Sequence, residues 1–271
     1  MAGNELVMLK TMSLDMFIID AFAERTLTGN PAAVCPLDAW IADDTMQAIA
    51  EEMNLSETVF FVANGDSFEI RWFTPTREVD MIGHATLAAG HLILDRIRPD
   101  MQQVKFVNPT GDMVVSRDGN SLIIDMPALV PHSIPCTAAL ESALGQTPRE
   151  VLASKHYLCV FEDEETVAGL EPDFVALAKL ELPAVIVTAS SSTEFDFVSR
   201  FFAPANGVPE DSVSGVAHCC LAPFWSNRLG ISKMKARQLS ARGGIIHCEF
   251  DKDRVRLAGS AITFLEGEIS I

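Results

Sequence analysis

Positive charge is scarce in this chain. Twenty Lys and Arg stand against 37 Asp and Glu in 271 residues, for a net charge of −17. A surface that acidic repels phosphate backbones, which argues against nucleic acid as a general partner. An anionic small molecule stays possible, because helix amino-termini create local positive sites within a negative molecule. Long apolar runs are missing too. None approaches the roughly 18 residues that span a bilayer, so no membrane association is expected. Residues 1–13 hold one basic residue and no signal-peptide core, so they read as a loose extension, and the compartment reads as cytoplasmic. The six cysteines (Cys35, Cys136, Cys159, Cys219, Cys220 and Cys248) form no CxxC pair and read as small buried hydrophobes.

Several motifs are absent as well. Neither a P-loop nor a GxGxxG follows a strand, so nucleotide binding has no support. Ser212-Val213-Ser214-Gly215 lacks the first glycine of a Gly-x-Ser-x-Gly nucleophile turn. Adjacent residues on a helix point about 100° apart, so His218, Cys219 and Cys220 cannot converge on one ion. His84 and His91 stand two turns apart. No metal and no cofactor are expected.

What is present is a repeat. Arg71-Trp72-Phe73-Thr74-Pro75 returns as Arg200-Phe201-Phe202-Ala203-Pro204. Glu78 stands five residues before Gly83, and Glu210 five before Gly215. Each glycine opens a run that is apolar nearly all round, Gly83 to Ala89 and Gly215 to Leu221. The same strand, turn and buried helix in each half implies two copies of one domain. With 48 % hydrophobic residues the chain can fill both cores. Two helix amino-termini facing each other would form one shared anion site.

The remaining elements follow from periodicity. Strands are expected at 17–22, 32–35, 58–63 and 68–73, and a helix from a cap at Asp43 or Asp44 to Met53. The first buried helix should end near Asp95-Arg96, before Pro99. A hairpin is expected across Asp118-Gly119, and Pro127 to Pro135 is the candidate linker. The second round has strands at 157–162, 184–188 and 196–202, a helix at 173–180, and a buried helix from about Val213 to Arg228. Pro223 should kink that helix, and Gly230 should end it. Strands at 237–240, 245–250, 254–257 and 261–265 close the chain. Helices apolar on every side must be surrounded, so the fold class is α+β, two sheets each curled around a helix.

Three polar residues stand out. Glu57 lies where a helix ends and the apolar strand Thr58-Val59-Phe60-Phe61 begins. A charge is costly there, which suits a general base for a carbon-bound proton; the plainer reading is a solvent-facing carboxylate. Asp211 precedes the second buried helix and reads, taken alone, as its N-cap. At the start of the first helix the dipole should keep His84 neutral.

Five segments in order resemble the PhzF-like (phenazine-biosynthesis) isomerase family, which shares the diaminopimelate epimerase-like fold. They are Asp20-Ala21-Phe22 with Gly29-Asn30-Pro31; Asn54 to Thr58; Phe73-Thr74-Pro75; Gly83 to Ala88; and Glu210 to His218. The resemblance implies two similar domains related by a pseudo-twofold axis, at 15–128 and 129–261, with a strand at about 262–271 returning to the first. Each is a mixed barrel around a central helix, and the site lies in the cleft between them. It implies Glu57, His84 and Asp211 as catalytic residues, with Asn30, Ser56, Gly83, Ser214, Gly215 and Val216 binding substrate. The activity implied is a cofactor-free proton shift between carbons of a small anionic metabolite, carried out by a homodimer. The alternative is a non-catalytic ligand-binding or protein-interaction member of the fold. One departure is Ser214-Gly215-Val216, where the family commonly has Thr-Gly-Ser. Val216 removes a hydroxyl near the expected carboxylate, which weighs against dihydro-hydroxyanthranilate as substrate. The related epimerases use two cysteines at the helix starts; here Cys219 and Cys220 lie one turn deeper.

Overall fold

The computed structural model of the protein describes residues 12–109 and 111–271. The extension expected over residues 1–13 falls, up to residue 11, outside that range. The first half runs β1 (Ser13–Ala21), β2 (Asn30–Leu37), α1 (Asp43–Met53), β3 (Glu57–Asn64), β4 (Ser67–Phe73), β5 (Glu78–Val79), α2 (Gly83–Leu92), β6 (Gln103–Val107), β7 (Met113–Asp118) and β8 (Ser121–Pro127). The second runs β9 (His132–Ser133), α3 (Ala138–Leu144), β10 (Glu150–Ala153), β11 (Tyr157–Val160), α4 (Glu164–Ala168), α5 (Phe174–Leu177), β12 (Val185–Ser190), β13 (Phe197–Ala203), β14 (Val208–Asp211), α6 (Gly215–Leu229), β15 (Lys233–Gln238), β16 (Gly244–Asp251) and β17 (Arg254–Gly259). The last strand, β18 (Ala261–Ser270), crosses back to pair with β1.

Symmetry is written in the pairing. One half orders its strands β18-β1-β2-β3-β4-β6-β7-β8, the other β9-β10-β11-β12-β13-β15-β16-β17. Taken in that order, both give antiparallel, antiparallel, parallel, antiparallel, parallel, antiparallel, antiparallel. The short strands β5 and β14 attach at equivalent places, on β4 and β13. Equivalent strands β8 and β17 pair antiparallel and join the halves into one hydrogen-bonded sheet. That sheet does not leave its helices outside. α2 and α6 are the crossovers between β4 and β6 and between β13 and β15, and both are buried along most of their length.

Burial on both faces follows from strand alternation. In β3, Val59 and Phe61 face α2 while Phe60 packs under α1. In β13, Phe197 and Phe201 join the inner core while Val198 and Phe202 meet the outer layer of α3, α4 and α5. Gly90 lets α2 approach β7, since a Cβ there would sit 2.6 Å from the Val115 side chain. Some expectations need correction. Asp43 and Asp44 lie in the first turn of α1; its N-cap is Ala42, without a side-chain bond. After α2 the chain continues as a π turn over Ile93–Ile97. β15 begins at Lys233, because alternation in Lys-Met-Lys-Ala-Arg-Gln buries Met234, Ala236 and Gln238. The helix expected at 173–180 is only the single turn of α5.

Pro223 lies inside α6 and has no N–H to give the carbonyl one turn back, that of Cys219. The backbone N–H of Leu129, between β8 and β9, fills that place at 2.9 Å. A helix defect thus becomes a tie to the chain that connects the halves.

Candidate active site

A cleft of about 770 Å³ lies between the halves and is lined from both. Its floor is the meeting of the two helix starts. A Cβ added to Gly215 would lie 3.3 Å from the Gly83 Cα, and one added to Gly83 3.1 Å from the Met126 sulfur, so glycine at both places lets the helix starts meet this closely. Ser214 caps α6 by accepting the Ala217 N–H at 3.3 Å. Ile82, at the same place before α2, offers no side-chain cap, which leaves the first N–H groups of α2 without that partner.

Asn54 ends α1 with a left-handed φ of 49°, and the chain then enters β3 at Glu57. That turn brings Glu57, 9 % exposed, onto the cleft wall. Its Oε2 stands 3.1 Å from His84 Nε2, close but not aligned as a hydrogen bond. Both atoms are buried without a hydrogen-bond partner. Burial opposes a charge on His84, but the carboxylates of Glu57 and Asp211 outweigh it and hold the pKa above its ordinary value. The helix dipole by itself favours a neutral imidazole; the two acidic neighbours push the other way.

Asp211 is not the N-cap of α6; it ends β14, and Ser214 takes that role. Loss of solvent raises its carboxyl to about 6, with His84 pulling down and Glu57 pushing up. The Asn30 amide donates to Asp211 Oδ1 at 2.7 Å and to the Val213 carbonyl at 3.0 Å. Asn30 is fully buried, its amide hydrogens are committed, and it does not line the cleft. Ser56 is likewise off the cleft wall, with its hydroxyl 3.5 Å from Asn30 Oδ1. The structure places these two behind the site, whereas Gly83, Ser214, Gly215 and Val216 line it.

Two supports escaped the sequence reading. Gln238, fully buried on β15, accepts the Ser214 N–H at 2.9 Å and donates to the Asp211 carbonyl at 2.7 Å. Arg77 and Asn206, each two residues after the repeated proline, bond to one another at 3.0 Å and line the cleft. No local pattern announces either, because the partners lie far apart in the chain. Cys219 also lines the cleft, but burial pushes its thiol up to about 12, and that of Cys220 to about 11. Thiols so protonated are poor bases.

The repeated Arg and Glu prove to be a clamp in each half. Arg71 grips Glu78 with two bonds of 2.7 Å, and Arg200 grips Glu210 at 2.7 and 3.0 Å. Each guanidinium lies over the ring two residues on, Phe73 at 5.2 Å and Phe202 at 4.9 Å. The clamp fixes the short strand that leads into each central helix.

The family model described as phenazine biosynthesis-like protein, PhzC-PhzF, matches residues 19–267. The chain belongs to that family. An uncharacterized isomerase of Pseudomonas aeruginosa is 47 % identical over 96 % of this chain and 100 % of its own. The crystal structure of a PhzF-family phenazine biosynthesis protein from Enterococcus faecalis superposes with a TM-score of 0.92, at 42 % identity over 96 % of this chain and all of that one. A hydroxyproline epimerase from Agrobacterium vitis shares the fold, with a TM-score of 0.62 at 8 % identity, covering 96 % and 93 % of the two chains. The α+β fold of two pseudo-symmetric domains is thus that of the PhzF and epimerase-like proteins. Among the described residues, no helix is long and apolar enough to cross a membrane.

Proposed function

We propose that this PhzF-family chain is an isomerase that moves a proton between carbons of a small carboxylate-bearing metabolite without a cofactor. The observation that carries the proposal is the buried trio of Glu57, His84 and Asp211 in a cleft floored by two helix starts. In this reading Glu57, which lines the cleft beside His84, takes the proton from carbon and returns it elsewhere. His84, its pKa raised by Glu57 and Asp211, donates toward the negative charge that develops on the substrate. The N–H groups at the start of α2 hold the carboxylate. Asn30 and Gln238 act behind them by fixing Asp211 and the entry to α6. Family resemblance and the isomerase name of the Pseudomonas relative support the same reaction class.

The test is solvent exchange. In D₂O, with no metal or nicotinamide added, a substrate found among small carboxylates should gain deuterium at carbon. Glu57→Gln should lower that rate about 10²-fold or more, the scale of general acid–base catalysis, and leave binding nearly unchanged. Wild-type exchange that survives Glu57→Gln but vanishes in the Cys219→Ala/Cys220→Ala double variant would assign the chemistry to the thiols instead.

A further inference from the structure

The turn between β15 and β16, residues 239–243, bonds to both halves at once. Within its own half, Ser240 Oγ donates to the Ser212 carbonyl at 2.7 Å, and the Gly243 N–H donates to Ser240 Oγ at 3.0 Å. Toward the first half, Arg242 Nε donates to the Gly29 carbonyl at 3.0 Å. Its Nη2 reaches Asp20 Oδ1 at 2.6 Å and the Thr28 carbonyl at 3.2 Å. The Gly29 N–H in turn donates to the Gly243 carbonyl at 2.7 Å. Both backbone groups of Gly29 are thus held by the other half of the chain. Packing is close on both sides: a Cβ on Gly244 would lie 2.4 Å from the Val213 side chain and 2.9 Å from the Phe22 carbonyl oxygen.

Asn30 follows Gly29, and there the ring of bonds closes. Asn30 belongs to the first half, yet its amide donates to Asp211 Oδ1 and to the Val213 carbonyl of the second. The bonds run from Ser212 through Ser240, Gly243 and Arg242 to Gly29, and through Asn30 back to Asp211. An amide fixed in this way presents its hydrogens at a set place, and the carboxylate that accepts one is oriented by it. Without Arg242, Gly29 loses one of its two bonds, and Asp20, 1 % exposed, loses its cation. A buried carboxylate without its partner is costly, so the loop from Asp20 to Asn30 would shift to let water reach it. The halves would stay joined by the β8–β17 ladder, in which Arg242 takes no part.

We propose that Arg242 is a positioning residue for the candidate active site: it holds Gly29, and so sets the Asn30 amide that orients the Asp211 carboxylate on the cleft wall shared with Glu57 and His84. The proposal rests on the isomerase reading for what Asp211 does to a substrate, and on the bonds above for where Asp211 stands. An ordinary interface ion pair needs only a positive charge beside Asp20. Positioning needs the fork, with Nε on Gly29 and Nη2 on Asp20 and Thr28, which the point charge of an ammonium does not copy.

The test follows the Asp211 carboxyl by carbon-13 NMR titration, its signal assigned with Asp211→Asn, in wild type, Arg242→Lys, Asn30→Ala and the double variant. Loss of solvent raises that carboxyl to about 6, and the Asn30 bond is among the influences that pull it down. Arg242→Lys keeps a positive charge near Asp20 and gives up the fork, so the Asp211 pKa should rise by about one pH unit, a tenfold change in proton affinity. Asn30→Ala should raise it as much. Adding Arg242→Lys to Asn30→Ala should raise it no further, because the first acts through the second. A merely structural role for Arg242 would lower the denaturant midpoint and leave the Asp211 titration where it is. An Asp211 pKa that is unchanged or lowered in Arg242→Lys, or an Arg242→Lys effect that persists in full beside Asn30→Ala, overturns the proposal. No substrate enters this titration, so its failure leaves the isomerase reading standing, and that reading is decided separately by the exchange experiment.

Discussion

The two halves agree in strand order, central helix and Arg–Glu clamp, and differ where the cleft needs chemistry. Glu57 has Ala184 as its counterpart, and His84 has Val216. Asp211, supplied by the second half, answers to Val79 in the first. Even the anchors differ in kind while doing one job. Thr86 Oγ1 bonds the Ile82 carbonyl at 2.5 Å, and the equivalent His218 Nδ1 lies 2.7 Å from the Ser214 carbonyl. Burial depresses His218 to about 4, so it anchors the start of α6 as a neutral ring. A duplicated scaffold thus holds an asymmetric cleft, with Glu57 and His84 from the first half and Asp211 from the second. A two-base racemase needs an acid–base group on each face of its substrate; the proposed base, Glu57, has only Ala184 at the equivalent place in the other half.

The largest effect that can break this comparison comes from Glu57→Gln, whose loss of exchange should exceed about 10²-fold, whereas Ala184→Ser at the equivalent place should leave the rate within a few-fold. Comparable losses at the two positions would mean that the halves share the chemistry. Next are the clamps. Arg200 is more buried than Arg71, with 12 % against 22 % of the side chain exposed, and its Nη1 also serves the Leu170 carbonyl at 2.7 Å. Breaking a buried pair costs about 3 kcal/mol and a half-exposed one about 1 kcal/mol, so denaturant melts should find Arg200→Ala much the worse. Equal costs would show the two clamps to be interchangeable.

The floor gives a smaller effect. A Cβ at Gly83 would meet the Met126 sulfur at 3.1 Å and the Gly215 Cα at 3.4 Å. Gly83→Ala should therefore spread the helix starts and weaken carboxylate binding about tenfold, the size of a lost charge-assisted hydrogen bond. Unchanged affinity by calorimetry would place the anion elsewhere. Acidity gives the mildest change. Asp211, raised to about 6, is neutral below that pH and anionic above it, while His84 sheds its proton above its ordinary range. Both changes add negative charge to the cleft as pH rises, so carboxylate affinity should fall across neutrality, and a rise would reverse the assigned signs.

Much of this was legible in the chain. Arg-aromatic-Phe-x-Pro with its trailing Glu announced the duplication, because a clamp between adjacent strands leaves its partners close in sequence. Glu57 and His84 were readable for the same reason, each at the junction of a local element. Asp20-Ala21-Phe22 and Gly29-Asn30-Pro31 were visible as motifs, but not their task. Arg242 of the second half reaches Asp20 at 2.6 Å and the Gly29 carbonyl at 3.0 Å, so these residues tie the halves and set Asn30 behind Asp211. Gln238 carried no signal. Its significance is a pair of bonds to Ser214 and Asp211, 24 and 27 residues away in the chain, and a lone Gln predicts nothing of that. The acidic surroundings of His84 were only half legible, since Glu57 lies in the same half of the chain but Asp211 comes from the other.

The proposed role of Glu57 is tested most directly by following hydrogen from carbon to carbon. A substrate deuterated at the reacting carbon, turned over in ordinary water, should deliver part of its deuterium to the new carbon of the product, because the same buried Glu57 carboxyl takes and returns it. Product that carries no transferred deuterium even from the first turnover would show that the hydrogen taken from one carbon is not held for return to the other, and would contradict the account.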